Sequence, residues 1–193
     1  MVIAYLIFSF IITLTILRFF IKNNVLWTIL KLMLAIIIII SFQMNFNFQL
    51  KSFIFGIILF ISSVIYFLTS SFIFNFEILK GLSKIKKYNF LFRILAGLIA
   101  GISEEVIYRG FLVIFLNSFF HNLFISSTIS LFLFLIVHIP IWGILGAIQI
   151  SIWSIMFYLY FAKTNDILAL IIAHSLNDIF FFCCFKYRTS TKC

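Results

Sequence analysis

The sequence predicts an all-α protein, a polytopic bundle of transmembrane helices. Three observations predict it. Hydrophobic residues make up 65% of the 193 residues, and charged residues only 10%. Mean hydropathy is +1.27. The apolar residues also fall into runs near the ~20 residues that cross a bilayer as a helix. A soluble domain is roughly 45–50% apolar and about 25% charged. This chain could not cover its apolar surface in water. The composition therefore excludes a soluble globular domain, a disordered chain and a disulfide scaffold.

About seven spans follow from the apolar runs: 2–20, 26–42, 53–75, 93–118, 123–139, 141–162 and 166–185. The fifth is short and the last carries polar residues, so counts of six and eight stay open. The first run begins directly after Met1, and its first positive charges, Arg18 and Lys22, come after it. It reads as a retained helix with its N-terminus outside, not as a cleaved signal. The positive-inside rule agrees. In this orientation the inner segments hold Arg18, Lys22, Lys80, Lys84, Lys86, Lys87, Arg93, Lys186, Arg188 and Lys192, and the outer ones only Lys51 and Lys163. The C-terminus is then cytoplasmic. One integral-membrane domain covers 1–193, with no repeat and no linker that would divide it.

The formal net charge is +9. Because the basic residues sit between apolar runs, they set orientation and meet anionic lipid headgroups. Nucleic acid is not an expected partner. The one basic run, KGLSKIKKYNFLFR at 80–93, reads as a topology-setting loop or a surface helix. Cys183, Cys184 and Cys193 have no metal-site spacing, and Cys193 lacks the three following residues of a prenylation signal. Lys31 lies near the inner end of the second span and is expected to snorkel toward the surface.

Ionisable groups inside spans cost at least ~2.5–3.5 kcal/mol each, so they mark function by default. The chain has five acids: Glu77, Glu104, Glu105, Asp166 and Asp178. Glu77 and Asp166 sit near span ends. Of the histidines, His121 falls in a short outer turn, while His138 and His174 lie near or inside spans. The rest of the inventory gathers in three places.

The first is Glu104-Glu105-Val-Ile-Tyr-Arg109. Glu105 and Arg109 are four apart and share a helix face, so an ion pair there lowers the cost of burying both. Glu104 points elsewhere and is left free for chemistry. Gly97 and Gly101 just upstream form a GxxxG pair that lets a neighbouring backbone approach closely. The second place is Phe134-Leu-Ile-Val-His138, followed by Pro140. The third is His174-Ser-Leu-Asn177-Asp178, where Asn177 and Asp178 share a side with His174 and could orient the imidazole or bind an oxyanion.

In this order the three places resemble the CPBP family of membrane proteins, which includes the type II CAAX prenyl endopeptidases and the bacteriocin-immunity (Abi) proteins. The family pattern is EExxxR, FxxxH and HxxxN or HxxxD. The resemblance covers about 90–180 and implies a catalytic core over 93–180. It implies an intramembrane endopeptidase acting on a membrane-associated or prenylated protein or peptide, in a bacterial cell membrane. Carried over, Glu104 activates the hydrolytic water and His138 helps to hold it. His174 and the residue four further on stabilise the oxyanion, and Glu105 and Arg109 organise the site.

The prenyl-peptidase branch has Asn where this chain has Asp178, and an ionised Asp cannot donate to an oxyanion. Three readings stay open: Asp178 is protonated, Asn177 is the donor, or the site binds a metal. With all acids ionised, Glu104, Glu105, Asp178 and Arg109 sum to about −2, which calls for protons or a cation. A divalent metal such as zinc, held by Glu104, His138, His174 and Asp178, would supply one. No HExxH is present. The family is described both as metal-dependent and as glutamate-type. Two other functions remain in view. One is a non-catalytic immunity or membrane-sensor partner. The other is a cation-coupled transporter, against which stands the lack of repeated halves.

Overall fold

A computed structural model describes the chain except Met1, Lys22, Asn45, Asn47, Phe72, residues 75–81, Ser83, Lys84, Lys86 and residues 185–193. Glu77, Lys80, Lys84 and Lys86 of the basic run, the charges Lys186, Arg188 and Lys192, and Cys193 therefore lie outside the described residues. Every regular element among the described residues is helical. In chain order they are α1 (Val2–Leu17), α2 (Asn24–Phe42), α3 (Leu50–Ser70) and α4 (Phe90–Glu104). A π-helical stretch (Glu105–Leu112) then leads into α5 (Val113–Phe120), followed by α6 (Leu123–Thr164) and α7 (Ile167–Cys184). Helices α2, α3, α6 and α7 are long and apolar enough to cross a membrane, and α1 is apolar but shorter. Large apolar side chains such as Ile40, Leu50 and Phe124 point outward, as in a protein solvated by lipid.

Asparagines start three of the helices. Asn23, Asn89 and Asn122 each accept from a backbone N–H of the first turn of α2, α4 and α6, satisfying donors that have no intrahelical partner. Gln43, His121 and Asn165 end α2, α5 and α6 in the left-handed conformation, so His121 is a cap in a short turn, as expected.

Helix α6 differs from expectation. The apolar runs suggest two spans divided at about Pro140. The helix instead runs on through Pro140 and breaks at Gly143, where φ is 72° and ψ is 171°. Proline removes one hydrogen bond and bends the helix. The sharp change of direction needs a residue without a Cβ, and Gly143 supplies it three positions later.

Helix α7 is the centre of the bundle and packs chiefly on α4 and α3. Small residues make this possible. A Cβ on Gly97 would lie 2.9 Å from Ile179 N, and one on Gly56 would lie 3.0 Å from Ala169 O. The GxxxG pair thus does press α4 against a neighbour, and that neighbour carries His174 and Asp178.

Candidate active site

The glutamates stand at the junction where α4 gives way to the π-helical stretch. Glu104 ends the α-helical part and Glu105 opens the wider one. Such wide turns are frequent at functional sites. The two carboxylates take separate partners. Glu105 Oε1 accepts from Arg109 Nη1 at 2.9 Å and from His174 Nδ1 at 2.6 Å. The expected Glu105–Arg109 pair is therefore present, and it also holds His174.

Arg109 is fully buried. Its Nε and Nη2 have no hydrogen-bond partner. Aromatic faces meet the charge instead: the guanidinium carbon lies 4.6 Å from the ring centres of Phe134 and Tyr158, and 5.7 Å from that of Phe157. Cation–π attraction of this kind strengthens when the cation is desolvated. Phe134 has a second task. Its carbonyl accepts from His138 Nδ1 at 2.7 Å, which places the proton on Nδ1 and presents Nε2 as an acceptor when the ring is neutral.

Glu104 is also buried. Its Oε2 lies 3.4 Å from His138 Nε2 and 3.7 Å from His174 Nε2. His174 Nε2 in turn lies 3.8 Å from Asp178 Oδ2. Glu104, His138, His174 and Asp178 thus come together from three helices. Asn177 sits beside them, its Oδ1 2.7 Å from Ser63 Oγ on α3.

Two expectations fail. Glu104 is not free, and Lys31 does not snorkel. The Lys31 side chain is buried, and Nζ pairs with Glu104 Oε1. A buried ammonium with a carboxylate in reach forms the ion pair rather than extending along the helix to the surface. Lys31 stands 73 positions from Glu104, so no spacing rule links them. The available signal was the charge sum, which asked for a cation.

Lys31, Glu104, His138, His174, Asn177 and Asp178 line a cavity of ≈ 140 Å³. Its remaining wall is largely apolar and aromatic. Trp27, Trp142 and Trp153 are all on it, and these are the 3 tryptophans of the chain. The cavity also reaches Asn24 at the start of α2 and Leu82, Ile85 and Tyr88 in the segment before α4.

The donor set proposed for a metal is assembled but encumbered. One oxygen of Glu104 carries the Lys31 ammonium, and His174 Nδ1 is taken by Glu105. Among the described residues, no group of three or more His, Cys, Asp or Glu side chains is placed to hold a metal ion.

Comparison with known proteins gives one match. The family model described as "Type II CAAX prenyl endopeptidase Rce1-like" matches residues 86–180. Neither the curated proteins nor the solved structures give a match. The matched segment begins before α4 and ends within α7, so it contains all three motifs and leaves Lys31 outside. The apolar helices and the family agree on an integral membrane protein. Over residues 86–180 the chain is similar to the Rce1-like type II CAAX prenyl endopeptidases.

Proposed function

We propose that this protein is an intramembrane endopeptidase in which Glu104 activates the hydrolytic water. The observation that carries the reading is the 3.4 Å approach of Glu104 Oε2 to His138 Nε2 at the wall of the cavity. A carboxylate and a neutral imidazole are both acceptors there. A water placed between them donates one proton to each and turns a lone pair toward a substrate carbonyl. Glu104 takes the proton as the C–O bond forms. It returns that proton to the leaving amine as the C–N bond breaks, releasing a carboxylate and an amine.

His174 and Asn177 are the proposed oxyanion donors. With Nδ1 committed to Glu105, His174 in its imidazolium form donates from Nε2. That form also balances charge: Glu104, Glu105 and Asp178 against Lys31, Arg109 and His174. Ser63 donating to Asn177 Oδ1 leaves the amide N–H groups for the oxyanion. Asp178 serves as counter-charge to His174, which accounts for an acid where the prenyl-peptidase branch has Asn. No step is routed through a metal.

The substrate is a membrane-associated, prenylated protein or peptide. The aromatic wall suits an apolar chain, and the basic segments suit anionic headgroups. The proposed arrangement has about seven spans, counting α6 as two at its Gly143 break. The N-terminus is outside, so the cavity opens on the cytoplasmic side. The test is cleavage of prenylated peptides by purified protein in lipid vesicles. Glu104→Ala and His174→Ala should each lower the rate at least ~100-fold. Wild-type protein that cuts nothing, with a cellular phenotype that survives both substitutions, would sink catalysis and leave a binding partner.

A further inference from the structure

Lys31 is the feature of the site that neither the motifs nor the family match accounts for. It lies on α2, outside residues 86–180. A buried ammonium in an apolar bundle is costly, and this one is spent on a single carboxylate oxygen. That oxygen belongs to Glu104, whose other oxygen faces both histidines. The other charges of the cluster are already matched, since Arg109 serves Glu105. Without Lys31, the Oε1 side of Glu104 would lose its ion pair, and Oε2 would still face the two histidines.

We propose that Lys31 is a positioning residue of the active site, the fixed cation that holds one oxygen of Glu104 and so keeps Oε2 turned toward His138. This rests on the peptidase reading above. The ammonium acts through Glu104 in two ways. It fixes the carboxylate's rotation by holding one oxygen, and it supplies one of the two positive charges that the sum over Glu104, Glu105, Asp178 and Arg109 lacks, His174 being the other. A cation on a flexible four-carbon stem can do this from another helix. The site is therefore incomplete in the matched segment alone and needs α2 packed against α4, a contact the bundle makes.

The experiment compares wild type with Lys31→Gln, Lys31→Met and Lys31→Arg, each purified and assayed on a prenylated peptide in vesicles. Gln keeps a hydrogen bond to Glu104 and removes the charge. Met removes both. The expected result is a fall in kcat of about 100-fold in Gln and Met, with KM within about threefold, and kcat within about tenfold of wild type in Arg. A purely structural lysine would not split kcat from KM in this way in a variant that folds. A Gln variant with wild-type kcat overturns the inference and leaves the peptidase reading standing. If neither neutral variant folds, Arg decides: folded but inactive Arg overturns the inference, and active Arg upholds it. A wild type that cuts nothing, with a cellular phenotype that survives Glu104→Ala and Lys31→Gln, overturns both readings.

Discussion

A Cβ placed on Gly101 would lie 2.6 Å from the backbone nitrogen of Ser175 and closer still to its hydroxyl oxygen, so α4 and α7 meet there almost backbone to backbone. Gly101 stands three residues before Glu104, and Ser175 follows His174. The closeness of the two helices therefore sets the distance between the carboxylates and the imidazole. Backbone cannot yield as a flexible side chain can. Gly101→Ala is expected to cost about 1–3 kcal/mol of stability and to cut activity more than its stability loss explains. Thermal unfolding in detergent beside a cleavage assay checks it, and an Ala variant equal to wild type in both would refute the argument.

Arg109 gives a sharper test of burial. Replacing it with Met leaves Glu105 buried with only His174 for a partner, a loss expected to cost about 3–5 kcal/mol. Adding Glu105→Gln removes the stranded charge and should restore part of that stability. Arg109→Lys should restore less than a conserved charge suggests, because an ammonium does not stack as a plane on Phe134 and Tyr158. Unfolding midpoints of the four proteins decide it. A double variant less stable than Arg109→Met alone would show that the pair is not what holds this region.

Much of the site was legible because helical spacing is short-range geometry. Glu105 and Arg109 pair across one turn, Gly97 and Gly101 do admit a neighbour, and His138 and His174 arrive where isolated polar groups in apolar runs should. What was not legible depends on contacts between helices far apart in sequence. Lys31 read alone is an ordinary snorkelling residue, and only packing of α2 against α4 makes it a partner of Glu104. The π-helical stretch is equally silent, since its residues carry the same apolar pattern as an α-helix. The break in α6 was placed at the proline because proline is the stronger local signal, yet the glycine carries the left-handed backbone.

That break makes a prediction of its own. Gly143 holds φ at 72° with ψ at 171°, a region nearly closed to residues with a Cβ. It follows Trp142, which lines the cavity, and stands five residues after His138. Gly143→Ala is expected to cost about 1–3 kcal/mol and to raise KM as the cavity wall shifts, more than it lowers kcat. Pro140→Ala should be milder, because the helix already passes through that position. Should Gly143→Ala leave both the unfolding midpoint and KM unchanged, the break is not what shapes the cavity.

The last prediction concerns metal. Glu104 already carries an ammonium on one oxygen, and His174 has one nitrogen committed to Glu105. A divalent cation entering beside them would have to bind close to Lys31, and each unit of like charge at a few ångströms in a low-dielectric site is repulsive by about 4 kcal/mol at an effective dielectric of 20. Cleavage is therefore expected to persist, within about twofold, after exhaustive treatment with a strong chelator. Added zinc should inhibit by competing with Lys31 for Glu104. Activity that is lost to the chelator and restored by stoichiometric zinc would mean that the lysine yields its place in the working enzyme, and the glutamate mechanism would then fall.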